Sequence, residues 1–507
     1  MKDDRLQRLN ENEYRVANSF GVDTVVFAND DVPIESVAIN ELIGLLELRR
    51  TIDRIADADK TFFGTPPELC RIAVTPDFHK AAGVPVGTTM ATRGFVVPAA
   101  IGNDVNCGMR LHLTSLRESD VVGRAGDLET QLRRSYFEGG RNIPMTRLQR
   151  EALVRDGLMG LLMSVPKSQQ QGIWREFHKH AERDLDHVEQ GGSLRAENTF
   201  ALEDFLGPQE LSRDSQIGSI GGGNHFVEIQ RVERILDGPT AYAWGLKPGM
   251  VTVMVHTGSV AIGHLSGARY RDVVRQIFPH TLKHPENGIF VLPEGGSHAK
   301  ESALFWDCLH NAANFAFANR MMLALMALET LGKVCGELNA SLLYDAPHNL
   351  VWRDQLDGEN VYVHRKGSCP ARGMAQMADT PFAFQGEPVL VPGSMGASSF
   401  ILAGEGNRDS LCSASHGAGR KLSRGDALKG DEAEFEKFLK NFRVVTPVDF
   451  RRSDIQQRRD IVAKKREDIK KEAPFAYKGI GPIVKTLQCA GIARPVAELK
   501  PLMTIKG

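Results

Sequence analysis

Long apolar stretches are missing from this chain. No segment reaches the roughly 18 uninterrupted apolar residues that a membrane-spanning helix needs. The opening MKDDRLQRLNENEYRV also has no apolar core of the kind a signal peptide carries. Cysteine is scarce: seven in 507 residues, an odd number at scattered positions, give no disulfide framework. Excess charge is missing too. Lys and Arg total 62 against 63 Asp and Glu, a formal net charge of -1, so any contact with nucleic acid has to come from a local patch. There is no GxxxxGKS or GxxxxGKT loop and no KxDG motif. Those absences exclude an ordinary P-loop and the familiar lysine-dependent nucleotidyl-transferring ligases. What remains is the expectation of a soluble, cytoplasmic protein with reduced thiols.

Apolar material is nevertheless plentiful, 42% of the residues, and comes in short pieces. Apolar runs bounded by turn residues predict buried strands at 71–74, 109–113, 250–255, 341–344 and 361–363. Helical periodicity is clearest over 302–334, through FWDCLHNAANFAFANRMMLALMALETL. The more polar stretch 116–210 carries two helical patterns, near 148–163 and 174–189, and reads as a helical insertion. Residues 454–472 are strongly charged and helix-prone. Glycine-punctuated strands with interspersed helices predict an α/β or α+β fold. With no repeat and no low-complexity linker, a single domain over 1–507 is favoured over separate modules.

Several polar residues fall where apolar segments end in glycine-rich turns, the usual place for reactive groups. Asp104 and Cys107 share GNDVNCG; His225 lies in GGGNHFVEIQ; His256 ends MVTVMVH; His348 follows SLLYD; His416 lies in SHGAGR. Singly, each has a bland explanation, since a lone histidine at a strand end is usually a hydrogen-bonded structural residue. As a set they offer O, S and N ligands suited to zinc, manganese or cobalt, and a thiolate can bridge two ions. Spacing alone does not separate a metal site from a group of glycine-rich turns. GGGNH, PGSMG and HGAGR would also let backbone N–H groups approach an anion closely, or simply make tight turns.

In order along the chain stand TPDFHKAAGVPVGT (75–88), GNDVNCG, GGGNHFVEIQ, HTGSVAIGH, NAANFAFANR, YDAPHN, HRKG, PGSMGASSF, SHGAGR, AYKG and LKPLMTIKG. This series resembles the RtcB family of RNA-splicing ligases, from about residue 71 to the end. The resemblance implies that family's α/β fold around a buried dinuclear metal centre. Asp104, Cys107 and His225 match the ligands of one manganese ion, and Cys107, His256 and His348 those of the other, with zinc or cobalt as substitutes. His416 matches the histidine that becomes guanylylated. The GTP site is implied at Asn224, His225, Glu228, His348, Asn349, Pro392, Gly393, Ser394, Met395, Ser399, His416, Gly417, Ala418, Gly419, Tyr477 and Lys506. Tyr477 is expected to stack on guanine, with Glu228 and Lys506 reading the base edge. The implied reaction joins RNA 3′-phosphate or 2′,3′-cyclic phosphate ends to 5′-hydroxyl ends, in tRNA splicing or RNA repair. A monomer and an archease-like activator are implied with it.

The chain departs from the family pattern in places. HTGSVAIGH has Val260 where the family has an arginine that would pair with phosphate. AYKG has Gly479 where the family has an acid, HRKG continues as SCPARG, and 374–387 is divergent. These departures keep two other readings open: a metal-dependent cyclic-phosphate phosphoesterase without sealing activity, and a non-catalytic RNA-binding protein. In the long helix, Asn311, Asn314, Asn319 and Arg320 are candidates to approach the substrate. Arg458, Arg459, Lys464, Lys465 and Arg466 are candidates to touch an RNA backbone, against the simpler reading of a solvated helix.

Overall fold

The protein, described here from a computed structural model, is α/β, and residues 3–214, 216–449 and 451–507 are described. One sheet has seven strands in the order Leu6–Arg8, Glu13–Val16, Asp23–Phe27, Glu68–Ala82, Val84–Arg93, Glu359–Lys366 and Asn349–Leu356. Its pairings are antiparallel except between Asp23–Phe27 and Glu68–Ala82. A second sheet runs Ala340–Pro347, Gly108–Arg117, Met250–Thr257, Phe226–Ile235, Ala493–Ile505, Ser399–Gly404 and Pro388–Val391. Arg443–Val445 lies parallel beside Ala493–Ile505. All five predicted strands fall within these elements.

The register of the second sheet decides where the chemistry goes. Gly108 is level with Thr257 on one side and Pro347 on the other. His256 is level with Phe226 on the next strand. Antiparallel neighbours therefore begin and end alternately at one sheet edge. Cys107, His225, His256 and His348, far apart in sequence, all arrive at that edge.

The helix Ala299–Cys335 is the spine of the core. Its 37 residues correspond to about 55 Å at 1.5 Å rise per residue. Ala, Phe, Met and Leu occupy every side of it rather than one stripe, and it is buried almost all round from Phe305 to Leu331. Helices from the 116–210 stretch pack on it: Ala125–Phe137, Arg147–Ser164 and Ile173–Asp184. Thr146 caps Arg147–Ser164 with a reciprocal Gln149 bond, the capping box. The pattern at 174–189 predicts a longer helix than forms, because the chain tightens into short 3₁₀ turns from Leu185. The charged stretch 454–472 is likewise divided, into Ser453–Gln456 and Arg459–Lys470. Among the described residues, no helix is long and apolar enough to cross a membrane.

Phe315 is fully buried on the spine, edge-on to Phe205 at 5.3 Å. Phe315→Ala is expected to destabilise the protein by about 3–5 kcal/mol, read as a lower urea midpoint.

Candidate active site

At the shared sheet edge, Cys107 Sγ lies 3.4 Å from His225 Nε2 and 3.2 Å from His256 Nε2. His256 Nε2 is 3.3 Å from His348 Nε2, and His225 Nε2 is 2.8 Å from Asp104 Oδ2. These atoms form two overlapping triads, Asp104/Cys107/His225 and Cys107/His256/His348, each with its donor atoms within 4.8 Å of one another. Cys107 belongs to both. The backbone ties them together: Cys107 N–H donates to Asp104 O at 3.1 Å, and His348 N–H to Cys107 O at 2.7 Å. His225 Nδ1 faces Ile220 O at 3.1 Å; as an N–H it would leave Nε2 as a free lone pair aimed inward.

The electrostatics fit a cation in each triad. Burial, reinforced by the neighbouring imidazoles, holds His256 and His348 well below the usual histidine range, so both are neutral ligands. Burial and the Asp104 carboxylate push the Cys107 thiol up, so it ionises only against a compensating positive charge. Asp104 Oδ1 is buried with no hydrogen-bond partner. A divalent ion would satisfy that oxygen and draw the thiol proton off, and the mixed O, S, N set suits a borderline metal.

His416 stands beside this group, its ring centroid 4.7 Å from that of His348. Its Nδ1 is 2.5 Å from Asp77 Oδ2. Although burial opposes ionisation of Asp77, the facing imidazole and the Thr75 hydroxyl, 2.6 Å away, hold its carboxyl below the usual range. An ionised Asp77 accepts a hydrogen bond from His416 Nδ1–H, which leaves Nε2 with its lone pair free. Asp77 lies in an irregular stretch of its strand, between the pairs Val74–Thr88 and His79–Val86, where a bulge re-aims the side chain. The HGAGR turn comes close because residue 419 is glycine. It has φ 69°, and a Cβ there would lie 2.4 Å from Asp77 O.

Asp104, Cys107, His256, His348 and His416 open into a cavity of about 900 Å³, whereas His225 and Asp77 stand behind its lining. Asn224, Glu228, Asn349, the Pro392–Met395 turn, Gly417, Ala418, Gly419, Tyr477 and Lys506 all line it. Asn349 uses its side chain on the metal turn, donating to Asp104 O at 3.2 Å and accepting from Gly367 N–H at 2.9 Å. Ser399 lies behind the Pro392–Met395 turn, where its Oγ accepts from Gly393 N–H at 3.3 Å. Burial pushes Glu228 up to about 7, against hydrogen bonds from Thr504 and Gln230. Burial brings Lys506 down to about 8. Lys506 Nζ donates to the carbonyls of Gly223 and His225, so it also shapes the loop carrying His225. The Tyr477 hydroxyl donates to Glu472, and Arg420 lies over its ring at 5.0 Å.

Sequence reasoning missed several residues in and behind the lining of this cavity. Asp77 was visible only as part of TPDFHK, where nothing marks it as the partner of a histidine 339 positions away. Lys366, in HRKG, lines the wall and donates to Val84 O at 2.6 Å; burial brings it down to about 8. Lys80, Lys421 and Arg424 add positive charge to the lining. Asn311, Asn314, Asn319 and Arg320, by contrast, do not line the cavity; they are buried and bond to backbone. Asn311 and Asn314 both donate to Val154 O. Arg466 is engaged by Glu432 and Glu436, Arg458 faces Asp460 at 3.7 Å, and Lys465 donates to Gly507 O. Of these candidates Arg466 is thus neutralised within the chain. A third buried group, His112, His180 and Asp184, has ligand-type side chains. Arg110 and Arg183 already donate into it, at 2.9 Å to His112 and 2.7 Å to Asp184, and fill the role of a cation.

With the geometry in place, comparison with known proteins is decisive. The profile of the family described as tRNA-splicing ligase RtcB matches residues 64–507. This chain belongs to the RtcB family. It is 31% identical to the tRNA-splicing ligase RtcB of Thermococcus kodakarensis over 94% of this chain and 95% of that protein. It is 30% identical to the one from Methanococcus maripaludis, over 85% and 87%. An RNA-splicing ligase RtcB of Mycobacterium bovis is 31% identical over 87% and 98%.

Two departures from the RtcB pattern now have places. Val260 begins the helix Val260–Gln276 just after the His256 strand, with φ 50°, unusual for a β-branched residue. Gly479 is the N-cap of Ile480–Cys489 and does not line the cavity. An acid at this position would cap the helix, so its absence removes a few tenths of a kcal/mol of stability.

Because Cys107 must lose a proton to ligate, metal binding is expected to release protons and to tighten as pH rises through neutrality. Calorimetric titration in buffers of different ionisation enthalpy checks this; a pH-independent affinity would contradict thiolate ligation.

Proposed function

We propose that this RtcB-family protein is a GTP- and metal-dependent RNA ligase. It joins an RNA 3′-phosphate or 2′,3′-cyclic phosphate end to a 5′-hydroxyl, in tRNA splicing or RNA repair. The observation that carries the reading is the Asp77–His416 pair set beside two overlapping ligand-type triads at the wall of one cavity. The relatives' names, tRNA-splicing and RNA-splicing ligase, support the same reaction class.

His416 Nε2 attacks the α-phosphorus of GTP; the bond to pyrophosphate breaks and pyrophosphate leaves. Asp77 keeps the Nδ1 proton in place and stabilises the positive charge the ring gains. An oxygen of the RNA 3′-phosphate then attacks that phosphorus, the P–N bond breaks, and His416 returns to its neutral form. Finally the 5′-hydroxyl attacks the activated RNA phosphorus, its proton passes to solvent, and GMP leaves. A 2′,3′-cyclic phosphate is first opened by water to the 3′-phosphate.

Asp104, Cys107, His225, His256 and His348 would hold two manganese ions. When bound, these supply Lewis acidity toward phosphoryl oxygens. The Pro392–Met395 and Gly417–Gly419 turns line the same cavity, and backbone N–H groups of glycine-rich turns suit a transferred phosphate. Tyr477 offers its ring to guanine, and Glu228 and Lys506 lie on the same wall to read its edge. One chain supplies every one of these groups, which supports action as a monomer. An archease-like protein is the activator the family resemblance implies.

Labelled GTP with Mn²⁺ should give a covalent protein–GMP adduct that His416→Ala abolishes. Cys107→Ala should lose metal and adduct together, whereas Asp77→Asn should keep metal and slow adduct formation by about 10²-fold or more. No adduct from fully metallated wild-type protein would overturn the reading.

Glu228 must be ionised to accept guanine N–H groups, and its pKa is raised to about 7. GTP binding is therefore expected to weaken as pH falls through about 7, and Glu228→Gln to bind weakly at every pH. Fluorescent-GTP titrations across pH 6–8 check this.

A further inference from the structure

We propose that Asn319 and Arg320, consecutive on the long helix, are positioning residues of the metal centre. They hold the backbone of all the ligand-bearing segments in one arrangement. The inference rests on the metal centre proposed above and goes beyond it, because neither residue reaches the cavity.

Arg320 is fully buried, and each guanidinium nitrogen is engaged. Nε–H donates to Asp345 Oδ1 at 2.8 Å. One terminal nitrogen donates to Asn106 O at 2.5 Å and Thr257 O at 3.1 Å; the other donates to Asn106 Oδ1 at 3.0 Å. Asn106 lies between Asp104 and Cys107, Thr257 directly follows His256, and Asp345 is on the strand that delivers His348. The Asn106 N–H in turn donates to Asn349 O, next to His348, at 2.8 Å.

Asn319 covers the remaining ligand. Its Nδ2 donates to Ser219 O at 2.9 Å and Gly258 O at 3.3 Å, and its Oδ1 accepts from Ser219 N–H at 3.1 Å. Ser219 precedes Ile220, whose carbonyl receives His225 Nδ1 and the Thr257 hydroxyl. One turn of one helix is therefore bonded to the Asp104–Cys107 turn, to the end of the His256 strand and to the loop carrying His225. Through Asp345 it reaches the His348 strand as well.

The chemistry of the two side chains suits this task. A guanidinium presents fixed, coplanar donors and can hold three backbone segments at set angles; a lysine has a single charged nitrogen on a flexible stem. Asp345 is shared with Arg110, at 3.0 Å, and all three charges are buried, so the carboxylate anchors the fork in place. Asn106 has φ 53°, a left-handed conformation that needs support from outside the turn, and the Arg320 and Ala313 contacts give it. Gly108 makes room: a Cβ there would lie 3.0 Å from the Arg320 Cζ.

Cobalt(II) titration of the full-length protein tests the proposal, read by the thiolate charge-transfer and d–d bands. Arg320→Lys should bind Co²⁺ about 10–100-fold more weakly, with an altered charge-transfer band. At saturating metal its guanylylation should recover, so the half-saturating metal concentration moves more than the maximal rate. Affinity and bands equal to wild type would overturn the proposal. If Arg320→Lys fails to fold, Asn106→Gly is the second variant: glycine keeps the left-handed turn and removes only the side-chain bonds to Arg320 and Ala313. It should weaken Co²⁺ by about 10-fold, and wild-type affinity there would overturn the idea equally. Wild-type protein that binds no Co²⁺ would instead remove the metal centre itself, and this inference with it.

Discussion

Five side chains of metal-ligand type meet at one sheet edge, with their donor atoms gathered closely together. Cys107 Sγ, two imidazole Nε2 atoms facing each other at 3.3 Å, a third imidazole and a carboxylate crowd one small volume. Asp104 Oδ1 has no donor within the chain, and the thiol and the three imidazoles are buried around it. A positive charge at the centre of this group would satisfy the free carboxylate oxygen and the lone pairs around it. The antiparallel register brings the four strands to a common edge, and the buried guanidinium behind them faces the backbone of the ligand segments rather than the ligand atoms.

The same edge also fixes the place of His416. His416 is on a loop outside the second sheet, yet its ring lies against His348. Its orientation comes from the other sheet, through Asp77 in a bulged strand. His416 thus stands where the two sheets' contributions meet. Metal-type ligands lie to one side of it; Glu228, Tyr477 and Lys506 form part of the same cavity wall. Residues of both sheets also share one apolar cluster, Val25, Phe27, Ala73 and Ala91 with Val389, Val391, Phe400 and Leu402. That packing holds Asp77 and His416 at a constant separation.

Local pattern made part of this legible. The strands at 109–113, 250–255 and 341–344 could be read because β-rich apolar runs end in glycine or polar turns. The spine could be read because helical periodicity persists over more than thirty residues. The N-terminal strands Leu6–Arg8 and Glu13–Val16 were not read, since they are short and mostly polar and gain their stability from a sheet edge. Asn319 and Arg320 were noticed as polar residues in an apolar helix. Core packing was the favoured reading of that helix and it holds, but periodicity does not say which buried polar side chain meets backbone beside the candidate site. The basic run at 458–466 looked available to RNA, but the acids that neutralise Arg466 come from a different helix, Glu432–Asn441.

By itself the sequence determined the inventory: α/β alternation, a buried spine, thiol, imidazole and carboxylate groups at the ends of apolar strands, and glycines where the backbone must turn. Ordered motifs along the chain also determined the family, since such a series reflects descent rather than local physics. Only the tertiary structure decided that Asp77 faces His416, that Ser399 stands behind a turn instead of in the cavity, and that Gly479 is a helix cap. It alone placed Arg320 on the carbonyls beside the ligands. The physical reason is common to all of these. Donor–acceptor pairing depends on distances of about 3 Å between residues separated by up to hundreds of positions, and strand register and helix packing set those distances.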